Sequence, residues 1–163
     1  MAIHHLIHSR LNPIYATLDT ATTGKILRPW DVGDEVLELQ ELLKAFGFKL
    51  AATGEYNSRT EDCVMIFQRR HGFRIDAVIG PKTWAALKLG VKPGSRVLRK
   101  GLSGFDVYEL QGLLNINGYA IARDGFFEDQ THQVVLEFQQ RHKLRDTGMV
   151  DRIMWATLQN RDR

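Results

Sequence analysis

Cysteine is almost absent from this 163-residue chain: Cys63 stands alone, so no disulfide can form within it. Long hydrophobic runs are missing too. No apolar stretch approaches the ~20 residues needed to span a membrane, so a membrane partner is not expected. Charge of one sign is scarce. Lys and Arg number 22 against 19 Asp and Glu, a formal net charge of +3. That balance permits an anionic partner, but no basic run or stripe is present, and nucleic acid is not expected. The stretch from Met1 to Trp30 lacks a basic start followed by an apolar block. His4, His5, His8, Arg10 and Asn12 interrupt Leu6, Ile7 and Leu11, so no secretory signal is visible. Catalytic signatures are missing as well. There is no H-E-x-x-H and no G-x-S-x-G. Cys63 lies among apolar helical positions, where a buried thiol is inert. A glycosidase needs two carboxylates flanking the bond, and no spacing here places such a pair across a cleft.

What the chain does contain is a duplicate of itself. A shift of 71 positions lays Leu39-Gln40 on Leu110-Gln111, Gly54 on Gly125 and Thr60 on Thr131. The same shift brings Phe67-Gln68 onto Phe138-Gln139 and Trp84-Ala85 onto Trp155-Ala156, without a gap. Repeats of this kind mark tandem structural units. Three parts are expected: an irregular extension over 1–26, one module over 27–90 and a second over 97–160. Lys92-Pro93-Gly94-Ser95 reads as the turn between modules.

Each module reads as three helices, giving an all-α fold with short extended or turn segments. In the first, Val36, Leu39, Leu42, Leu43 and Phe46 recur at helical spacing before Gly47. A second helix begins at Asn57 or Ser58, where Ser58 and Glu61 have the spacing of a capping box, and carries Cys63, Val64, Ile66 and Phe67. Gly80-Pro81 opens a short third helix whose Trp84 and Leu87 face inward. The second module repeats the plan with Val107, Leu110, Leu113, Leu114 and Ile116, then Asp129 as a cap, then Asp151 capping the helix of Trp155 and Leu158.

The order Gly33-x-x-Val36-x-x-Leu39-Gln40-x-x-Leu43, Gly47, Gly54-x-Tyr56, Thr60, Phe67-Gln68, Thr83-Trp84-x-x-Leu87 closely resembles the peptidoglycan-binding domain family. These are small three-helix modules attached to many bacterial wall hydrolases. Gly104, Val107, Leu110-Gln111, Leu114, Gly118, Gly125-x-Phe127, Thr131, Phe138-Gln139, Trp155 and Leu158 carry the resemblance through the second module. It implies a tandem of wall-binding modules without catalysis or cofactor. Its implied partner is peptidoglycan, by glycan strand or stem peptide. The family has Asp-Gly, an apolar residue and Gly before the third helix. Here Asp76-Ala77-Val78-Ile79-Gly80 loses one glycine, and Thr147-Gly148-Met149-Val150-Asp151 loses the aspartate and the later glycine. Unequal modules follow, the first being expected to bind better.

Candidate ligand contacts fall at the turn before the second helix and the loop before the third. Gln40, Gln68, Gln111 and Gln139 lie beside core positions. Their amides either satisfy loop backbone or hydrogen-bond glycan hydroxyls and stem-peptide amides. Tyr56, Asn57 and Arg59 form a turn matched by Phe127, Glu128 and Gln130. The two rings either cap the core or meet a sugar face. Arg70 and Arg141 either solvate helix ends or pair with stem carboxylates. His4, His5 and His8 lie close together, but no carboxylate or thiol cluster accompanies them, and no metal is expected.

The expected function is attachment to the bacterial wall. One alternative is a structural adaptor in a phage-tail-like or contractile-injection assembly, with proteins of that assembly as partners. Another is the targeting part of an endolysin. The expected location is the cell wall, reached by a non-classical route or within a larger particle.

Overall fold

The computed structural model describes residues 24–160. Among them are six helices: α1 Asp34–Ala45, α2 Ser58–Arg70, α3 Pro81–Gly90, α4 Phe105–Ile116, α5 Asp129–Arg141 and α6 Arg152–Gln159. The chain divides into two compact units between Val91 and Lys92. Each holds three helices around its own core, as the duplicated sequence requires.

The first core gathers Leu39, Leu42, Leu43, Val64, Phe67, Trp84 and Leu87 with Leu27 and Ile79. The second gathers Leu110, Leu114, Val135, Phe138, Trp155 and Leu158 with Leu98 and Val150. Single antiparallel bridges replace strands among the described residues: Leu27 with Ile79 and Val32 with Glu55, then Leu98 with Val150 and Ser103 with Phe126. These pairs repeat at the same 71-residue shift, so backbone as well as core is duplicated. Each outer bridge ties the segment before the first helix of a module to the residue preceding the N-cap of its third helix.

Helix ends follow local chemistry with two corrections. Asn57, not Ser58, caps α2: its side chain accepts from Thr60 N. Asp151 caps α6 by accepting from Met154 N. Asp129 does not cap α5. It is the first helical residue, and Glu128 at the cap position makes no side-chain bond. Ile66 and Ile116, expected in the cores, are 39% and 57% exposed because they lie past the edge of each apolar stripe. α1, α2, α4 and α5 each end on a residue of positive φ: Gly47, Gly72, Gly118 and Lys143. In each case the next amide reaches back to close the turn, as Phe48 N does to Leu43 O and Phe73 N to Gln68 O.

No helix among the described residues is long and apolar enough to cross a membrane. The histidines His4, His5 and His8 lie outside the described residues.

Candidate functional site

The four glutamines share one geometry. Gln40 Oε1 accepts from Thr53 N and Gly54 N at 2.8 and 2.9 Å, while Nε2 donates to Glu55 O and Thr60 Oγ1. Gln111 treats Asp124 N, Gly125 N, Phe126 O and Thr131 Oγ1 in the same way. Gln68 holds the loop before α3, accepting from Asp76 N and Ala77 N and donating to Val78 O. Gln139 accepts from Gly148 N and donates to Met149 O. One clasp therefore occurs four times. A helix glutamine grips a three-residue loop whose middle member has positive φ: Gly54, Ala77, Gly125 or Gly148. Amides so engaged satisfy backbone groups that could not otherwise be buried.

This geometry corrects the expected contact surface. Gln40, Gln68, Gln111 and Gln139 are at most 2% exposed, with their amides committed to loops. Tyr56 and Phe127 are likewise inside, at 1% and 0%. The Tyr56 hydroxyl donates to Ala77 O at 2.6 Å, and burial, with the charges of Glu61, Asp76 and Asp31 adding, pushes its pKa well above the usual phenol value. Asn57 is half-buried and spent on the α2 cap. Arg59 is exposed, its Nε donating to Lys49 O at 2.9 Å. Arg141 is exposed in the last turn of α5, whereas Phe127 precedes that helix. A helix of that length separates them by about 20 Å, so they cannot share one small ligand.

What the first module does offer is a groove of about 210 Å³ between the end of α2 and the start of α3. Phe73, Arg74, Asp76, Val78, Pro81 and Lys82 line it, over Gln68. Lys82 Nζ lies 4.9 Å from the centre of the Phe73 ring, and Arg74 Nε lies 3.6 Å from Asp76 Oδ2. Asp76 also accepts from Val78 N and Gln68 Nε2, so it shapes the loop it belongs to. The surface thus combines a ring, the apolar Val78 and Pro81, and two cations, of which Arg74 is already paired with Asp76. It suits a ligand with a carboxylate beside an apolar face.

The groove adjoins the loop before the third helix, and Phe73 and Lys82, which line it, are not among the contacts expected from sequence. The repeat contained the signal. At the equivalent positions the second module has Leu144, Arg145, Thr147, Met149, Arg152 and Ile153. The ring and the carboxylate are gone, the second cation has moved from the Lys82 position to Arg152, and Ile153 in the place of Lys82 is 65% exposed. Among the described residues no group of three or more His, Cys, Asp or Glu side chains is placed to hold a metal ion.

Comparison with known proteins decides the family. The model of the putative peptidoglycan binding domain matches residues 32–87 and again 103–158. The chain belongs to the peptidoglycan-binding domain family. It is 28% identical over 161 residues to the N-acetylmuramoyl-L-alanine amidase CwlL of Bacillus licheniformis, covering 78% of this chain and 43% of that protein. It is also 28% identical over 143 residues to the N-acetylmuramoyl-L-alanine amidase CwlM of Mycobacterium tuberculosis, covering 77% and 35%. The chain therefore spans less than half the length of either relative. Among solved structures it is similar to a peptidoglycan-binding protein from Clostridioides difficile in complex with glutamine hydroxamate. That match has 33% identity over 39% of this chain and 40% of the other, with a TM-score of 0.38. A Burkholderia AP3 phage endolysin matches at 37% identity over 56% and 33%, with a TM-score of 0.40.

Proposed function

We propose that this chain holds to bacterial peptidoglycan without cleaving it, and that the first module makes the stronger contact. The observation that carries the reading is the groove of Phe73, Arg74 and Lys82 in a module of wall-binding family. The cations answer carboxylates of stem peptides, and the ring and Val78 answer apolar side chains or a sugar face. Two modules on one chain add avidity even where the second binds weakly. The amidase relatives extend well beyond the matched region. The same targeting role would serve a wall hydrolase or an endolysin.

Co-sedimentation with purified sacculi tests this, with suspension turbidity followed in parallel. The expected outcome is a protein-bearing pellet at constant turbidity. Lys82→Ile and Phe73→Leu, which install the second module's residues, each weaken sedimentation. Clearing of the suspension by pure protein removes the non-catalytic claim.

A second reading has its own observation. Met149 and Ile153 are 42% and 65% exposed where the first module has Val78 and Lys82. An apolar surface there fits a protein partner, as in an adaptor of a larger wall-associated assembly. Wild-type protein left in the supernatant would favour that reading.

A further inference from the structure

The turn that opens the first module is built against its own sequence. Asp31 N donates to Arg28 O at 3.1 Å, closing a four-residue turn with Pro29 and Trp30 at its centre. Trp30 has φ 77. Proline second and positive φ third define a turn that favours glycine in the third place. The second module closes the same turn from Leu102 N to Arg99 O, with Gly101 at φ 97 in that place. The first module therefore puts a large side chain where its twin has none.

Burial does not compensate for the strain. Trp30 is 76% exposed, whereas the other two tryptophans, Trp84 and Trp155, are 2% and 5% exposed. Two main-chain bonds pin the turn: Trp30 N to Tyr56 O and Tyr56 N to Asp31 O, both 2.8 Å. Strained L-residues persist where the surroundings over-determine them, and they concentrate at ligand contacts. Val32, two residues on, is 67% exposed and bridges Glu55. Arg28 and Glu55 are exposed polar neighbours on the same paired segments. Tyr56 also links this turn to the groove. Its main chain holds Trp30, and its hydroxyl holds the Ala77 loop that lines the groove.

We propose that Trp30 is a stacking platform for a pyranose ring of the glycan strand. This rests on the wall-binding reading and extends it to the sugar. A pyranose has an apolar C–H face rimmed by hydroxyls, which fits a flat exposed ring with polar neighbours. A lipid surface or a stable protein partner would call for a wider continuous apolar patch than one ring and one valine.

The test uses the full chain as wild type, Trp30→Gly and Trp30→Phe. Trp30→Gly copies the second module and relieves the turn, so its melting temperature is expected to be unchanged or higher. Its affinity for sacculi is expected to fall about tenfold, which is about 1.4 kcal/mol. Trp30→Phe keeps a ring and is expected to retain most of the binding. Soluble glycan strands freed of stem peptides are expected to shift the emission of wild type and leave that of Trp30→Phe unmoved. Trp30→Gly sedimenting like wild type overturns the platform and leaves the wall reading standing. Wild type failing to sediment removes both. An emission response to stem peptides without one to glycan overturns the sugar assignment.

Discussion

The Tyr56 hydroxyl donates to the Ala77 carbonyl at 2.6 Å in the first module, and the second module has Phe127 and Gly148 in their places. The two loops otherwise follow one path, each gripped by a helix glutamine through Gln68 and Gln139. The tyrosine bond is thus an addition made where the loop carries a side chain at positive φ. Ala77 has φ 58, Gly148 φ 70. Tyr56 helps to hold Ala77 in a conformation glycine would adopt freely.

Tyr56→Phe is expected to lower the stability of the first module by about 1–3 kcal/mol, because it leaves the buried Ala77 carbonyl without its donor. The effect should also depend on pH. The folded protein raises the Tyr56 pKa above its ordinary value of 10.0. The neutral phenol is therefore favoured on folding, and its contribution is complete below about pH 10. It is lost as pH rises above that. Buried Cys63 is shifted upward too, from 9.0, and gives the same sign in both proteins. Denaturation at pH 8 and pH 11 should show wild type losing more stability than Tyr56→Phe. Equal losses would mean that Tyr56 ionises as freely when folded as when unfolded.

The glutamine clasps give a second expectation. Gln111→Leu keeps the volume and strips the partners from Asp124 N, Gly125 N and Phe126 O. A cost of roughly 2–4 kcal/mol is expected for these buried groups together. Chemical denaturation measures it. Unchanged stability with lost binding to sacculi would return Gln111 to the ligand surface.

The fold was legible because its signals are periodic. Leu39, Leu42 and Leu43 at helical spacing, the 71-residue shift and the glycines at helix ends each state their structure locally. The contact surface was not, and the glutamines show why. Gln40 and Gln68 sit next to core positions, and sequence alone leaves an amide free to face loop or solvent. The choice depends on loops 13 to 15 and 8 to 10 residues away folding back onto them. Ile66 and Ile116 failed for a different reason: hydrophobicity marks a stripe, and its edge is set by what packs opposite. The Phe73 groove forms only when the loop before α3 closes over Gln68.

Reciprocal exchange of Ala77 and Gly148 should be asymmetric. Ala77→Gly relieves positive φ but gives up a buried methyl and adds chain entropy to the unfolded state. These offset, and a change within about 1 kcal/mol is expected. Gly148→Ala is crowded as well as strained: its new Cβ would overlap the His132 ring, which must shift, at φ 70. Backbone strain and overpacking together predict a loss of about 2–4 kcal/mol. Thermal melts of the two variants decide it, and equal shifts would refute the asymmetry.

The same logic separates the modules at a charge pair. Arg96 and Asp106 meet through two bonds, Nε to Oδ2 at 2.7 Å and Nη2 to Oδ1 at 3.1 Å, with side chains 3% and 1% exposed. Arg96 Nη2 also donates to Ser103 O at 2.9 Å, tying the entry of the second module to the start of α4. The equivalent residues of the first module, Lys25 and Glu35, are both exposed. Removing one partner of a buried pair strands the other charge, at a cost of about 3–5 kcal/mol, whereas exposed pairs contribute about 0–1 kcal/mol. Asp106→Ala should therefore lower the melting of the second module strongly, and Glu35→Ala should leave the first nearly unchanged. Asp106→Asn keeps the shape and one accepting oxygen but loses the charge and sets an amide NH2 against one Arg96 donor, and should fall between. Should Asp106→Ala melt like wild type, the pair would be adding specificity rather than stability, and the second module would be held by its apolar core alone.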